Sequence, residues 1–386
     1  MTNLPLWIRV FARVPRRWCN GAITAFKTPS PAPSGTVFPI RDTTNFSYSY
    51  YTDQIPLKHS YSSTTITTSQ IRKMTTGTFR YVDPESITPG ISPWAKVDVD
   101  HTSYTRTART LPVTDFRDCL GLHTSSQVRA FGTDIDIAGF AVYHYPAKEK
   151  DFADDAAVRG GYYGEVEELL RAKLEPSKGK IRKVVIFDHT IRKHDPNSPR
   201  QPVQSVHVDQ TPSAAEARVR RHVPDAKEAE ELLKGRYQLI NVWRPIRHPA
   251  TDFPLAVVDW RTVEPKDMVP VSLLYPMRKP GEDDDDRGKE VLPTPESLAS
   301  TEGYEVKGET YGVLPNENHK FYYVKDMKPE ETMFIKCFDS WSEGMAPNGK
   351  KGIAALTPHT AFIDPNTPEG TPGRESIEVR CLVFYE

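Results

Sequence analysis

Cysteine is scarce in this chain. Four cysteines, Cys19, Cys119, Cys337 and Cys381, are scattered without any CxxC pair. That spacing excludes a zinc knuckle and a disulfide framework, and it suits a reducing compartment. Long apolar runs are also missing: nothing approaches the roughly 18 residues that cross a bilayer, so no membrane insertion is expected. Charge of one sign is absent as well, with 50 Lys and Arg against 51 Asp and Glu. A net charge of −1 gives no electrostatic case for nucleic acid as the partner. Neither a Ser-His-Asp elbow nor a cysteine-nucleophile signature occurs, which removes covalent hydrolysis. No internal repeat is visible.

Proline, by contrast, is abundant. Its 34 residues interrupt long helices and favour a loop-rich, strand-rich enzyme over a helix bundle. Residues 1–75 differ from the remainder: they are rich in Ser, Thr and Pro, and carry only Asp42 and Asp53 as acids. This segment reads as a basic, disordered extension or a targeting segment, with Met74 as an alternative start. The expected location is cytoplasmic, or mitochondrial if the segment is a transit peptide. Residues 76–386 are expected to form one domain, with its β-rich core mainly in 181–386.

Within that domain, the periodicity predicts a helix over Gly160–Leu174 with Val166, Leu169, Leu170 and Leu174 on one side. Ile181–Phe187 reads as a strand, and so does the short Val206–Asp209 segment. Ser213–Lys234 is helical in period, broken near Pro224 with a fresh cap at Asp225. Further strands are expected at Tyr237–Trp243, Leu255–Trp260, Lys320–Val324, Thr332–Phe338, Ala361–Ile363 and Ile377–Tyr385. Repeated short strands with Pro and Gly turns point to a mainly β fold with flanking helices, a sandwich or jelly roll. The acidic run Glu282–Asp286 reads as a solvated loop, because adjacent acids in a flexible segment define no metal cage.

The chemistry concentrates in His207-Val208-Asp209, His359 and the segment from Arg374 to Arg380. His and Asp two apart on a strand share a face. With a second histidine they make a two-imidazole, one-carboxylate set that leaves positions open on an octahedral Fe(II). His359 is the preferred third ligand and His319 the reserve. Arg374, Ser376 and Arg380 share one strand face, so a guanidinium and a hydroxyl can receive the free carboxylate of 2-oxoglutarate while its other end chelates iron. Either arginine can serve. Asn241 and Trp243 share a face that can project into a cavity, while Arg244 points away; Tyr322 and Tyr323 are further candidates for the pocket wall.

The ordered segments VVIFDHTIR, HVDQTPSAA, NVWRP, PLAVVDWRTV, HKFYYV, MFIKCFDS, PHTAFIDP and RESIEVRCLVFY resemble the asaB hydroxylase/desaturase family of fungal secondary metabolism. That family is similar to gibberellin A4 desaturases and CmcJ-like proteins. The resemblance implies a double-stranded β-helix that uses Fe(II), 2-oxoglutarate and O2 on a small molecule. It implies His207, Asp209 and His359 as the iron triad and Arg374 or Arg380 as the clamp. Expected outcomes are hydroxylation, desaturation or oxidative ring formation. A jelly-roll oxidase that does not use 2-oxoglutarate and a non-catalytic cupin-like binding protein are the rival readings. Substrate and oligomeric state are not legible.

Overall fold

The computed structural model describes residues 74–99, 101–117, 134–277, 298, 300–345 and 349–386. The basic N-terminal segment up to residue 73 and the acidic run 282–286 lie outside the described residues. The strands are β1 (Met74–Val82), β2 (Trp94–Lys96), β3 (Arg106–Asp115), β4 (Phe140–His144), β5 (Ile181–Lys193), β6 (His207–Val208) and β7 (Tyr237–Pro245). They continue as β8 (Leu255–Val258), β9 (Met268–Pro276), β10 (Tyr304–Val313), β11 (Phe321–Tyr323), β12 (Glu331–Asp339), β13 (His359–Ala361) and β14 (Glu375–Tyr385). Three helices matter below: α1 (Tyr163–Lys178), α2 (Pro212–His222) and α3 (Ala226–Lys234).

Two sheets carry these strands. The larger runs β1-β3-β11-β8-β13-β6-β10-β9-β2 and the smaller β4-β12-β7-β14-β5. Together they form the jelly roll, and the apolar clusters show how the layers stack. Val208 of the larger sheet packs with Leu239, Leu382 and Phe384 of the smaller, and with Val219 and Leu232 from α2 and α3. Trp243, Met333 and Ile335 of the smaller sheet pack with Leu255 and Val257 of the larger. The opposite face of the smaller sheet, through Ile377, Val379, Cys381 and Val383, is covered by Val166, Leu169, Leu170 and Leu174 of α1. β14 therefore divides its residues by parity: odd positions face the helix and even positions face the second sheet.

Local chemistry sets the element ends. Gly179, at φ 110°, ends α1 where a side chain would be strained. Thr211 caps α2 by accepting from Ala214 N, and Asp225 caps α3 by accepting from Lys227 N and Glu228 N. The predicted break at Pro224 is thus a real helix boundary. Other boundaries moved. The α1 pattern begins with a π-helical turn, Val158–Tyr162, and β5 continues to Lys193 rather than ending at Phe187. The Leu255–Trp260 strand stops at Val258, because Asp259 accepts from Arg261 N and starts a 3-10 turn. β9 and β10 were missed: Pro270, Pro276 and Gly308 blur their alternation. Among the described residues no helix is long and apolar enough to cross a membrane.

Gly139 is required by close approach. Its φ is +91°, and a Cβ there would lie 2.0 Å from Thr357 Oγ1. At the end of β12, Asp339 is fully buried and accepts from Lys336 Nζ, Arg236 Nη2 and Gln238 Nε2, each at 2.7 Å. Burial opposes its ionisation, but Lys336 and Arg236 hold its pKa below the ordinary value. Asp339→Ala leaves two buried cations short of a partner, so stability should fall by about 3–5 kcal/mol. Urea unfolding monitored by circular dichroism checks this. A loss below about 1 kcal/mol means that Asp136, the other acceptor, neutralises both cations alone.

Candidate metal and co-substrate site

The site begins with a register. β13 pairs antiparallel with β6 so that His359 lies directly opposite His207. Opposed residues share a face, and the two imidazole centroids are 4.5 Å apart. Asp209 follows immediately after β6, and its Oδ1 lies 3.3 Å from His207 Nε2 and 3.9 Å from His359 Nε2. The three potential ligand atoms all fall within 4.8 Å of one another.

Each imidazole is held by its other nitrogen. His207 Nδ1 is 2.8 Å from Ser205 O, and His359 Nδ1 is 3.0 Å from Thr357 O. A carbonyl only accepts, so both Nδ1 atoms carry protons and both Nε2 atoms face the shared space. Burial, with His207 adding repulsion, pushes the pKa of His359 down to about 4, so its Nε2 lone pair is free at neutral pH. Burial also opposes protonation of His207, but contact with Asp209 raises its pKa overall. For Asp209, burial opposes ionisation and is outweighed by His207, His359 and Arg380, which hold the carboxyl well below the ordinary range. Two imidazole Nε2 atoms and one carboxylate oxygen converge on a single space. This donor set fits Fe(II) with open positions, and by ligand type alone also other imidazole-binding divalent metals.

The inner face of β14 lies across from this triad. Arg374 precedes the strand and Ser376, Glu378 and Arg380 follow at alternate positions, two residues apart. Arg374 is 2% exposed and donates Nη1 to Phe253 O at 2.7 Å. Its Cζ stands 5.7 Å from the Trp243 ring centre, while Nε is buried without a hydrogen-bond partner. Burial, with Arg192 adding repulsion, pushes its pKa down to about 9. Among the described residues no carboxylate forms an ion pair with it. Arg380 is different: Nε donates to Asp188 Oδ1 at 2.7 Å and Nη2 to Thr190 Oγ1 at 3.0 Å. One guanidinium is committed, and the other has a donor to spare.

The remaining candidates separate. Trp243 faces the interior with Met333 and Ile335. Arg244 lies on the other face of β7, its Cζ 5.2 Å from the Tyr162 ring centre, away from the triad. Tyr322 packs with the Trp243 cluster. Tyr323 points the opposite way and lines a separate cavity of about 110 Å³ with Thr251, Asp326 and Asp364. His319 uses both nitrogens elsewhere, with Tyr81 OH and Asp267 Oδ2 each at 3.1 Å.

Three residues at the site were not singled out from the sequence. Glu378 shares the face of Ser376 and Arg380, and the same alternation pointed to it. Burial and the charge of Asp209 push its carboxyl up to about 7. Arg192 stands opposite Ser376 through the pairing of β5 with β14. Cys337 packs beneath Val208, its thiol pKa raised first by burial and then by Asp209. The last two depend on strand register, which no local pattern reveals.

Comparison with known proteins agrees with this geometry. Residues 79–384 match the family model described as "Oxidoreductase/YMDC permease-like domain". The chain is 38% identical over 178 residues to "Aspirochlorine biosynthesis protein N" of Aspergillus oryzae, covering 46% of this chain and 59% of that protein. It is 38% identical over 184 residues to "Hydroxylase/desaturase asaB" of Aspergillus flavus, covering 47% of this chain and 70% of that protein. The solved structure of the "iron and alpha-ketoglutarate-dependent endoperoxidase NvfI" superposes with a TM-score of 0.59 at 27% identity, over 81% of this chain and 98% of the other. The chain belongs to the asaB hydroxylase/desaturase family, among the Fe(II)/2-oxoglutarate-dependent oxygenases of fungal secondary metabolism.

Proposed function

We propose that this protein oxidises an unactivated C–H bond of a small secondary-metabolite intermediate, giving an alcohol, an alkene or an oxidatively closed ring. Its cofactor and co-substrates are Fe(II), 2-oxoglutarate and O2. In this reading residues 76–386 act as one catalytic domain in the cytoplasm. The observation that carries it is the convergence of His207 Nε2, His359 Nε2 and Asp209 Oδ1 on one space, with both Nδ1 atoms committed to carbonyls.

His207, Asp209 and His359 would hold the iron. When bound, the iron couples decarboxylation of 2-oxoglutarate to O2 activation and so supplies an oxidant able to break a C–H bond. The protein contributes binding, orientation and exclusion of water. Arg374 takes the far carboxylate of 2-oxoglutarate: its unpartnered Nε sits in a buried setting where an anion relieves an uncompensated charge. The hydroxyl of Ser376, on the same face, adds a second donor. The Trp243 ring centre stands 5.7 Å from Arg374 Cζ, within reach of a cation–π attraction that favours the guanidinium at this position. Arg380, tied to Asp188 and Thr190, shapes the wall and its charge.

The test is anaerobic addition of Fe(II) and then 2-oxoglutarate, following the metal-to-ligand charge-transfer band in the visible. The wild type should show the band, His207→Ala should lose it, and His319→Gln should retain it. Absence of the band in the wild type overturns the reading. In the same titration, Arg374→Ala should weaken 2-oxoglutarate by about 2–5 kcal/mol, or at least tens-fold in Kd. Arg380→Ala should change that Kd only a few-fold; the reverse ranking transfers the clamp to Arg380.

A further inference from the structure

Asp209 presents a positional problem that its own strand does not solve. It lies beyond the end of β6, whose paired residues are only His207 and Val208. A carboxylate there can turn about its side-chain bonds and offer a metal either one oxygen or both. The site needs one: two bound oxygens would close a position that a chelating keto acid or O2 requires.

The structure holds the carboxylate from the opposite sheet. Asn241 Nδ2 donates to Asp209 Oδ2 at 2.7 Å. The other oxygen, Oδ1, is the one that faces His207 and His359. Asn241 stands in the middle of β7, a strand buried along its whole length and central in its sheet. It is paired to Ile335 on one side and Arg380 on the other. The donor is therefore mounted on one of the least mobile parts of the fold, and it reaches across the sandwich to a residue at a strand end.

The orientation of the amide supports this role. Asn241 is fully buried, and its Oδ1 has no hydrogen-bond partner. A half-turn of the amide would put Oδ1 against an ionised carboxylate, which is repulsive. The fold accepts an unsatisfied acceptor in order to keep the donor on Asp209.

We infer that Asn241 is a positioning residue that assigns the two oxygens of Asp209, Oδ2 to its own amide and Oδ1 to the metal, so that the carboxylate binds through one atom. The inference rests on His207, Asp209 and His359 being the metal ligands. Asn241 itself touches neither metal nor substrate; it acts through Asp209.

Co(II) is a suitable probe, because its visible absorption reports the number and arrangement of ligand atoms without turnover. The full chain and the variants Asn241→Ala and Asn241→Leu are titrated with Co(II), and each apo protein is melted in parallel. Leucine has the branching and heavy-atom count of asparagine and lacks the donor, so it tests the hydrogen bond without opening a cavity. Both variants should bind Co(II) about 10–100-fold more weakly and show a changed d–d spectrum at saturation, with apo Tm within a few degrees of wild type. Complete loss of binding by a variant that still melts like wild type supports the same role. A d–d spectrum identical to wild type in either folded variant overturns the inference, whatever the affinity. If the wild type itself takes up no Co(II), the ligand assignment fails and this inference fails with it. An altered variant beside a normal wild type speaks to Asn241 alone.

Discussion

One pairing governs this site: β13 lies against β6 with His359 opposite His207. A slip of one residue would turn one imidazole to the far face of the sheet and leave two of the three candidate ligands together. The register is therefore chemical as well as structural. It is held by β8 on the outer side, where Val257 opposes His359 and packs against Trp243. It is also held by Gly139, whose missing side chain lets Thr357 come close. Thr357 then presents the carbonyl that fixes the His359 ring. Packing, a glycine and one hydrogen bond thus all set the direction of a single lone pair.

The two sheets contribute different things. In the proposed reading the larger sheet supplies the ligands, while the smaller supplies charge and orientation through Asn241, Arg374, Ser376, Glu378 and Arg380. Its inner face is unusual for a sandwich interior, which is normally apolar. Toward Leu382 and Phe384 it is hydrophobic and seals against α2 and α3. Toward Arg374 it becomes ionic. Burying ionisable groups is costly unless each finds a partner. Here Arg380 is paired with Asp188, whereas Arg374 is not. In the proposed reading that asymmetry distinguishes a wall residue from a group waiting for an anion, though Arg380 lies in β14 and Arg374 just before it, at positions of the same parity.

Much of the architecture was legible because it depends on local pattern. Val166, Leu169, Leu170 and Leu174 mark a helix face, Asp225 marks a cap, and the alternation of Ile377–Tyr385 marks a two-faced strand. The even face of β14 was readable too, and Glu378 belonged to it by the same rule. What stayed hidden depends on pairing between distant strands. Nothing near Arg192 indicates that it stands beside Ser376, and nothing near Asn241 indicates that it meets Asp209. The choice between His359 and His319 was similarly non-local. His359 opens β13 and His319 stands two residues before the aromatic β11, and only the tertiary partners separate them. His319 is consumed by Tyr81 and Asp267, whereas His359 keeps Nε2 free.

The same logic explains why the ligand set spans both short and distant sequence separations. His207 and Asp209 lie close in the chain but on unequal footing: one is fixed by a ladder and a carbonyl, the other sits beyond the strand end. A residue outside a ladder keeps freedom that a metal site cannot tolerate, so restraint must come from elsewhere in the fold. β7, buried along its length and central in its sheet, supplies it, and its inward positions alternate between Leu239, Asn241 and Trp243. Leu239 and Trp243 seal the core on either side of Asn241, so a polar side chain at that one position is kept dry and directed. Exclusion of water strengthens its hydrogen bond to Asp209 and raises the cost of leaving its carbonyl unpaired. The apolar packing of the sandwich is thus what directs a single amide onto the Asp209 carboxylate, the one the proposed reading assigns to the metal.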